Sequence, residues 1–324
     1  MNLVRRSFVV AALSGALIAT AYPAAALAQA FPSRVITIIV AAAPGSSTDP
    51  LARMLASILQ TRLKQPVVVV NRVGAGGYVG AEFVARAAPD GYTLLFTTDT
   101  AMHSNLFFKE QRNLIQELVP IKIIATQPLG LLVSSGLGVS NLQEFVEVVK
   151  ANPKKYNYGY VVNTAVQLES ERLLKSAGME MTGVSYSSTA PAVQALMAGD
   201  IQFVLSSLST MKPVIDAGKG TVLALSSQQR FSQLPNVPTA KEQGLDMDLA
   251  NRTGLFGSSK IPPAILELLY REVVASMETP EMKDLLKNLS LEPMPGSMDD
   301  QKKQLIADSQ HFADIAKAIG IERQ

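Results

Sequence analysis

The stretch VITIIVAAAPGSSTDPLARMLASILQTRL, residues 35–63, decides how this chain folds. It begins with a β-branched apolar run at 35–40, which has the length and bulk of a buried strand. Small and turn-forming residues follow, and Asp49-Pro50 then offers an N-cap and a proline for the first helical position. Beyond them, one helical face carries Leu51, Met54, Leu55, Ile58 and Leu59. This order predicts an α/β unit whose helix N-terminus points unpaired N–H groups at the loop.

Strand and helix patterns alternate through the rest of the first half, which predicts a parallel α/β architecture. Residues 66–70 and 92–97 are predicted strands, and residues 78–88 are a predicted helix between them. Residues 121–133 are predicted to be extended chain broken by Pro128. We expect the chain to cross into a second lobe at this point.

Polar side chains follow three predicted strands of the second half. The strands at 156–162, 184–186 and 201–205 lead into Asn163-Thr164, Ser187-Ser188-Thr189 and Ser206-Ser207. Each polar group precedes a predicted helix, and Thr164 with Gln167 fits a capping box. Such residues are turn and cap chemistry by default. Because ligands of open α/β sheets bind just outside the strand ends, the recurrence also predicts a ligand site here.

Three helices are predicted at the end of the chain, at 261–277, 280–289 and 298–319. The predicted buried face of the last one consists of Leu305, Ile306, Phe312, Ile315 and Ile319. A C-terminal segment that returns to the first lobe makes the lobes discontinuous in sequence. We therefore predict one lobe of residues 31–131 plus 250–324 and another of residues 132–249.

The first 28 residues have the pattern of a secretory signal peptide. Arg5 and Arg6 precede an apolar run at 8–19, and Ala26-Leu27-Ala28 fits a cleavage site. The run is too short to span a membrane, so we predict export and removal of residues 1–28. The two arginines also loosely fit a twin-arginine signal, so the export route stays open.

Composition excludes several classes of protein. Without the two signal-peptide arginines, the chain has 27 basic and 27 acidic residues, which argues against a nucleic-acid partner. It has no cysteine and only two histidines, His103 and His311, so it carries no metal-binding signature. His103 follows the third predicted strand, where a ligand contact is one interpretation, but we expect it at the surface or at a helix cap, and His311 in solvent.

Three motifs, taken in order, resemble the Bug family, the periplasmic solute-binding proteins of tripartite tricarboxylate transporters. They are NRVGAGG at 71–77, AAPDGYTLL at 87–95 and LPNVPT at 234–239. The resemblance covers the whole chain after the signal peptide. It implies a two-lobed clamshell of type II periplasmic-binding-protein topology, each lobe a mostly parallel sheet flanked by helices. It also implies small carboxylates as ligands, held largely by loop main-chain groups and hydroxyls.

On this basis we predict a periplasmic substrate-binding protein rather than an enzyme. It would capture a small organic carboxylate for the permease subunits of a tripartite tricarboxylate-type transporter, as a monomer without cofactor or metal. The carboxylate is predicted to lie between the loop at 45–48 and the loops at 163–164 and 187–189. The predicted ligand-binding residues are Ala43, Gly45, Ser46, Ser47, Thr48, Asp49, Thr98, Tyr160, Asn163, Thr164, Ser187, Ser188, Thr189, Ser206 and Arg252.

Some of these residues have a second interpretation. The segment 46–49 also reads as a plain helix cap, and an ionised Asp49 would push the anion toward the amides of 45–47. Arg252 stands where many family members carry an aromatic residue; it either pairs a second carboxylate or forms a surface ion pair. The bulk of Tyr160-Val161-Val162 predicts an apolar ligand body, so an aromatic dicarboxylate is the finer prediction.

Two other functions compete with ligand capture. A small-molecule enzyme, such as an acyl hydrolase or a dehydrogenase, can use the same cleft, but the chain has no G-x-S-x-G elbow. The glycines at 74, 76 and 80 mimic a dinucleotide fingerprint with the wrong spacing. A ligand-presenting subunit of a sensor is the third possibility.

Overall fold

The strand and helix of the stretch 35–63 form as predicted, at one side of a large mixed sheet. The computed structural model describes residues 31–320 except 45, 47, 108–110, 246 and 248. The predicted signal peptide therefore lies outside the described residues. Residues 34–324 fall in one compact unit.

Most strands lie close to their predicted positions, whereas the strands at 220–225 and 292–293 were not predicted. In chain order they are β1 (Ile36–Val40), β2 (Val67–Asn71), β3 (Thr93–Thr98), β4 (Leu118–Ser134), β5 (Asn157–Val161), β6 (Thr182–Tyr186), β7 (Phe203–Ser207), β8 (Gly220–Leu225), β9 (Ala250–Ser258) and β10 (Glu292–Pro293).

The helices alternate with these strands. They are α1 (Thr48–Leu63), α2 (Tyr78–Arg86), α3 (Leu114–Glu117), α4 (Leu142–Lys150), α5 (Ala165–Ser176), α6 (Thr189–Ala198), α7 (Leu208–Asp216), α8 (Pro263–Met277), α9 (Pro280–Asn288) and α10 (Met298–Ile319). Within the described part of the chain, no helix combines the length and the apolar character that a membrane crossing requires.

The hydrogen-bonded order of the sheet is β2-β1-β3-β9-β4-β7-β5-β6, with β8 and β10 also paired to β4. The pairs β1/β2, β1/β3, β5/β6 and β5/β7 are parallel, which confirms the expectation from the βα alternation. In the middle, β9 and β4 are antiparallel to each other, and they run antiparallel to β3 and β7 respectively. The sheet thus has two sections that share β4: a first with β1, β2, β3, β9 and β10, and a second with β5, β6, β7 and β8.

Pro128 lies inside β4 and does not break it, in contrast to the prediction. Up to Pro128 the strand pairs with β9, and from Leu129 onward it pairs with β7. Proline has no N–H to donate to a ladder, so it fits best where the strand changes partners. The predicted crossing point is therefore the point at which β4 passes from one sheet section to the other.

The last helix packs against both sheet sections. Near its start, the side chain of Gln301 bonds the N–H and the carbonyl of Ile123 in the first section at 2.7 and 3.1 Å. Farther along, Phe312 and Ile315 belong to the apolar core of the second section. Ile306, which was predicted to be buried, is 49% exposed because it points away from both sections.

Candidate functional site

A cavity of about 410 Å³ lies between the strand ends of the two sheet sections. Its wall on the second section is formed by the C-terminal end of β5 and by the N-termini of α5 and α6. Its wall on the first section is formed by the turn at Ala75–Gly77, the end of β3 and the start of β9. The described lining residues are Ala75, Gly76, Thr98, Thr100, Val161, Val162, Asn163, Thr164, Val166, Ser187, Ser188, Thr189 and Asn251.

The α5 wall combines an apolar surface with a capped helix end. Val161, Val162 and Val166 contribute the apolar side chains. Thr164 is the N-cap: its hydroxyl accepts from the N–H of Gln167 at 3.3 Å and donates to the carbonyl of Val161 at 2.8 Å. The Thr164 hydroxyl hydrogen is thus used within the chain.

The predicted capping box at this helix is only half formed. The Gln167 side chain accepts from the N–H of Asn163 at 2.8 Å, one residue before the position that a capping box requires. Asn163 has a φ of 59°, in the left-handed region, so its amide faces Gln167 instead of continuing the strand. Asparagine tolerates this conformation better than most residues do.

The α6 wall presents a helix N-terminus without a side-chain cap. Ser188 occupies the N-cap position, and its hydroxyl makes no capping hydrogen bond. The first helical residues, Thr189 and Ala190, have N–H groups without an acceptor inside the helix, and Pro191 has none to donate. Neither α5 nor α6 has an acidic residue in its first turn. Both helix ends therefore favour a negatively charged group of a ligand.

The facing turn brings main chain up to the cavity. Gly74, Ala75, Gly76 and Gly77 all have positive φ, of 144°, 44°, 63° and 100°. A Cβ on Gly77 would lie only 3.0 Å from the Cβ of Ala101, so the turn packs tightly on the chain after β3. Ala75 is the one member with a side chain, and left-handed backbone costs such a residue about 1–2 kcal/mol. Non-glycine left-handed residues thus lie on both sides of the cavity, at Ala75 and Asn163.

The floor of the cavity is neutral, but a charged cluster lies beneath it. Thr98, Thr100 and Asn251 form this floor, and the two threonine hydroxyls are hydrogen-bonded at 2.7 Å. Between the threonines lies Asp99, which is 3% exposed. Arg252 follows Asn251 and is 8% exposed. Each of these two buried ionisable groups is therefore a direct sequence neighbour of a floor residue.

Arg252 is held by two carboxylates. Its Nη1 donates to Asp308 at 2.7 Å and to Asp99 at 3.3 Å, and its main-chain N–H also donates to Asp99 at 3.3 Å. Burial raises the pKa of Asp99 to about 6, with Asp308 adding to the rise and Arg252 opposing it. The guanidinium lies neither at the surface nor among the described residues that line the cavity. These contacts remove the reason for expecting a second ligand carboxylate.

His103 belongs to the same buried cluster, which corrects the prediction of a surface or capping histidine. It is 2% exposed, and its ring packs edge-on against Phe312 at 5.0 Å between centroids. Neither ring nitrogen has a hydrogen-bond partner among the described residues. Burial, together with the positive charge of the neighbouring Arg252, lowers the pKa of His103 to about 3. His103 is therefore neutral at neutral pH.

The first loop is fastened to β2 by a polar network. Asp49 lies in the first turn of α1, inside the helix rather than at its N-cap as predicted. Its carboxylate accepts from Asn71 at 2.8 Å and from Arg53 at 3.0 Å, and Asn71 also donates to the carbonyl of Ala42. Asp49 and Thr48 are buried, and the buried hydroxyl of Ser46 has no hydrogen-bond partner among the described residues.

Six of the predicted site residues thus line the cavity, and the others do not line it or are not described. Thr98, Asn163, Thr164, Ser187, Ser188 and Thr189 line it, whereas Ala43, Ser46, Thr48, Asp49, Tyr160, Ser206 and Arg252 are not among its described lining residues. Tyr160 stacks on Tyr158 at 5.6 Å, and Ser206 is fully buried within β7. Gly45 and Ser47 lie outside the described residues.

Several lining residues were missing from the predicted set. Ala75 and Gly76 had a signal, because a glycine-rich connection directly after a strand permits close approach to a ligand. Thr100 belongs to the run of hydroxyl residues after β3. Asn251 had no signal in the sequence, since only the antiparallel pairing of β9 with β3 brings it to the floor.

Comparisons with known proteins show the family of the chain and similar folds. A family model described as "Tripartite tricarboxylate transporter family receptor" matches residues 51–321 of the chain. The periplasmic binding protein BugD is 26% identical, with a TM-score of 0.75, over 91% of this chain and all of that one.

Two similar structures come from Rhodopseudomonas palustris. One, solved with adipate, is 27% identical with a TM-score of 0.78, over 91% of this chain and 100% of that chain. The other, MatC with bound malate, is 26% identical with a TM-score of 0.74, over 88% of this chain and 99% of that chain.

Proposed function

The chain belongs to the tripartite tricarboxylate transporter receptor family, and on that premise we propose that it captures a small organic carboxylate for a membrane permease. The predicted resemblance to the Bug family and the predicted two-lobed α/β periplasmic-binding-protein fold are confirmed. The family consists of periplasmic solute-binding receptors, so the chain is a receptor and not an enzyme.

The observation that carries the proposal is the pair of helix N-termini on one cavity. The helices α5 and α6 begin at the cavity wall, beside the lining residues Thr164, Ser188 and Thr189, so the main-chain N–H groups of their first turns lie at the cavity. Neither first turn carries an acidic residue. Two positive dipole ends directed at one space favour an anion, and exclusion of water strengthens the attraction. The adipate and malate held by the two R. palustris proteins support a carboxylate as that anion.

Ligand affinity and signalling both follow from closure of the two lobes. We place the lobes at residues 31–131 plus 250–324 and at 132–249. The passage of β4 from β9 to β7 at Pro128 supports a boundary near residue 131. A ligand that contacts both walls favours the closed state by its differential affinity, and the permease subunits then recognise that state.

The proposed site of action is the periplasm, after removal of residues 1–28, and the proposed state is a monomer. The signal-peptide pattern supports export. Mass spectrometry of the exported protein should find an N-terminus near Gln29. Retention of Arg5 and Arg6 in the exported protein would refute processing at this site.

A thermal-shift screen tests ligand capture. Ligands that bind only the native state raise the melting temperature, by more the higher their concentration is relative to Kd. The screen should include aliphatic and aromatic mono- and dicarboxylates together with the matching uncharged methyl esters and amides. Stabilisation by carboxylates, followed by stoichiometric binding without conversion in calorimetry, is the expected result. Stabilisation by the uncharged compounds alone would refute the proposal.

A further inference from the structure

The cavity has two chemically different ends. At the α5 and α6 end, helix N-termini favour an anion, as argued above. At the floor, Thr98, Thr100 and Asn251 offer only neutral groups. Among the described residues that line the cavity, none carries a charged side chain. A second carboxylate bound at the floor would therefore have no cationic side chain in the described wall to pair with.

The charges beneath the floor are unfavourable to an anion. Asp99 is bonded in sequence to both floor threonines, so its main chain is within about 4 Å of each of their Cα atoms. Asp99 and Asp308 both contact the guanidinium of Arg252, and His103 beside them is neutral. With both carboxylates ionised, the cluster has one more negative charge than positive charge. The pKa of Asp99, although raised to about 6, leaves its carboxyl ionised in neutral solution.

The hydrogen-bonding capacity of the floor also disfavours a carboxylate there. An ionised carboxylate only accepts hydrogen bonds, whereas a hydroxyl or a carboxamide both donates and accepts. The Thr98–Thr100 hydrogen bond uses one hydroxyl hydrogen of the pair and leaves acceptor lone pairs on both oxygens. Asn251 contributes a carboxamide, which presents a carbonyl oxygen beside its two N–H donors. The ligand group at the floor must therefore donate hydrogen bonds to these lone pairs, which an ionised carboxylate cannot do.

We infer that the floor formed by Thr98, Thr100 and Asn251 binds an uncharged group that both donates and accepts, such as a carboxamide or a hydroxyl. The ligand is then a monocarboxylate with a neutral polar far end and an apolar body against Val161, Val162 and Val166. This specificity rests on the proposed capture of a carboxylate and narrows its ligand class. It replaces the aromatic dicarboxylate that the sequence alone favoured.

Matched pairs of ligands test the inference. Each pair consists of a dicarboxylate and its own monoamide, which have nearly equal size: succinate and succinamate, adipate and adipamate, terephthalate and 4-carbamoylbenzoate. Calorimetry at about pH 7.5 keeps every ligand carboxylate ionised. In each pair that binds, the monoamide should bind about tenfold tighter, because the like-charge repulsion at the floor acts only on the diacid.

Two variants assign the preference to the buried cluster. Asp308→Asn removes one negative charge from a part-buried side chain and should reduce the monoamide preference about threefold or more. Asp314→Asn on the same helix removes an equal charge from an exposed position, where its partner is Gln310, and should leave the preference unchanged. If Asp308→Asn does not fold, Asn251→Asp serves instead, and this added charge should weaken the diacid more than the monoamide.

The possible results separate this inference from the proposed function. Diacids that bind as tightly as their monoamides, or tighter, would overturn the inference while leaving carboxylate capture intact. A monoamide preference that neither Asp308→Asn nor Asn251→Asp changes would overturn the assignment to the buried cluster. Absence of binding by all six compounds, together with no thermal shift in the wider screen, would overturn carboxylate capture and the inference with it.

Discussion

The guanidinium of Arg252 on β9 donates a 2.7 Å hydrogen bond to the carboxylate of Asp308 on α10. This bond ties the strand that carries the cavity floor to the helix that packs on both sheet sections. Asp99, at the end of β3, completes the cluster from a third element. A change in any of these three side chains should therefore alter both the stability of the fold and the floor of the cavity.

Arg252→Met should destabilise the protein strongly at neutral pH. The substitution leaves the buried Asp99 and the part-buried Asp308 without their cation, a loss of about 3–5 kcal/mol in the free energy of unfolding. Without Arg252, the pKa of Asp99 rises further above its ordinary 3.8, because the guanidinium lowers it in the native protein. The folded carboxyl then takes up a proton at a pH where the unfolded one does not, so acidification restores stability.

Urea unfolding at about pH 7.5 and about pH 5 measures this effect. The difference in the free energy of unfolding between the original protein and Arg252→Met should be smaller at the lower pH. The triple variant Arg252→Met, Asp99→Asn, Asp308→Asn is the control, since it removes all three charges and should recover much of the loss. A deficit that is equal at both pH values would contradict the burial of uncompensated carboxylates.

His103→Leu should make the protein more resistant to acid. The folded-state pKa of His103 is about 3, below its ordinary 6.5. The unfolded chain therefore binds a proton below pH 6.5 that the folded chain refuses, and this costs stability as the pH falls. At about pH 5 this protonation lowers the free energy of unfolding by about 2 kcal/mol, and it is absent from the leucine variant, which has no ring to protonate. At about pH 7.5 the histidine is neutral in both states, so the protonation cost vanishes.

Denaturant unfolding of both proteins at the two pH values measures the difference. The native His103 ring resonances should also stay at their neutral positions down to about pH 4.5 in the folded protein. A titration of those resonances near the ordinary histidine pKa would contradict the burial of His103.

Gly254→Ala should disrupt the pairing of β4 with β9. A Cβ at Gly254 would lie 2.5 Å from the carbonyl oxygen of Lys122 and 2.6 Å from the Cα of Ile123, both backbone atoms that cannot rotate away. We expect a loss of about 3 kcal/mol or more in the free energy of unfolding. Gly138→Ala is the control: no atom lies within 4 Å of its added Cβ, and only its φ of 66° is strained.

The free energy of unfolding of Gly138→Ala should fall by only about 1 kcal/mol, because the left-handed backbone conformation is the only source of strain. Equal melting temperatures for the two variants would contradict the close approach of β4 to Gly254.

Thr164→Val should weaken the N-terminus of α5 at the cavity wall. The valine has nearly the same shape but can neither accept from the N–H of Gln167 nor donate to the carbonyl of Val161. The loss should be about 1 kcal/mol in the free energy of unfolding. Thr164→Ser retains the hydroxyl and should lose less. A carboxylate affinity that falls in Thr164→Val without any loss of stability would contradict the capping role.

The sequence by itself determined most of the elements and their order; α3, β8 and β10 were not predicted. The last helix runs from Met298 to Ile319, as its apolar periodicity predicted. A capping box of Ser297 and Asp300 opens it, and Gly320 ends it in the left-handed conformation. The polar residues after β5 and β6 were found because strand, cap and helix are local patterns. Local hydrogen bonding and burial decide such patterns within a few residues, so a single sequence reveals them.

Only the tertiary structure decided the floor of the cavity and the role of Arg252. The register Thr98↔Thr253 sets β9 beside the end of β3, between residues 155 positions apart in the chain (253 − 98). That pairing puts Asn251 on the floor and Arg252 beside Asp99, while α10 brings Asp308 to the same place from a third region. No local pattern distinguishes an arginine that pairs with a ligand from one already paired inside the protein. The difference lies in which distant carboxylates the fold brings within hydrogen-bonding distance, and strand pairing and helix packing decide that.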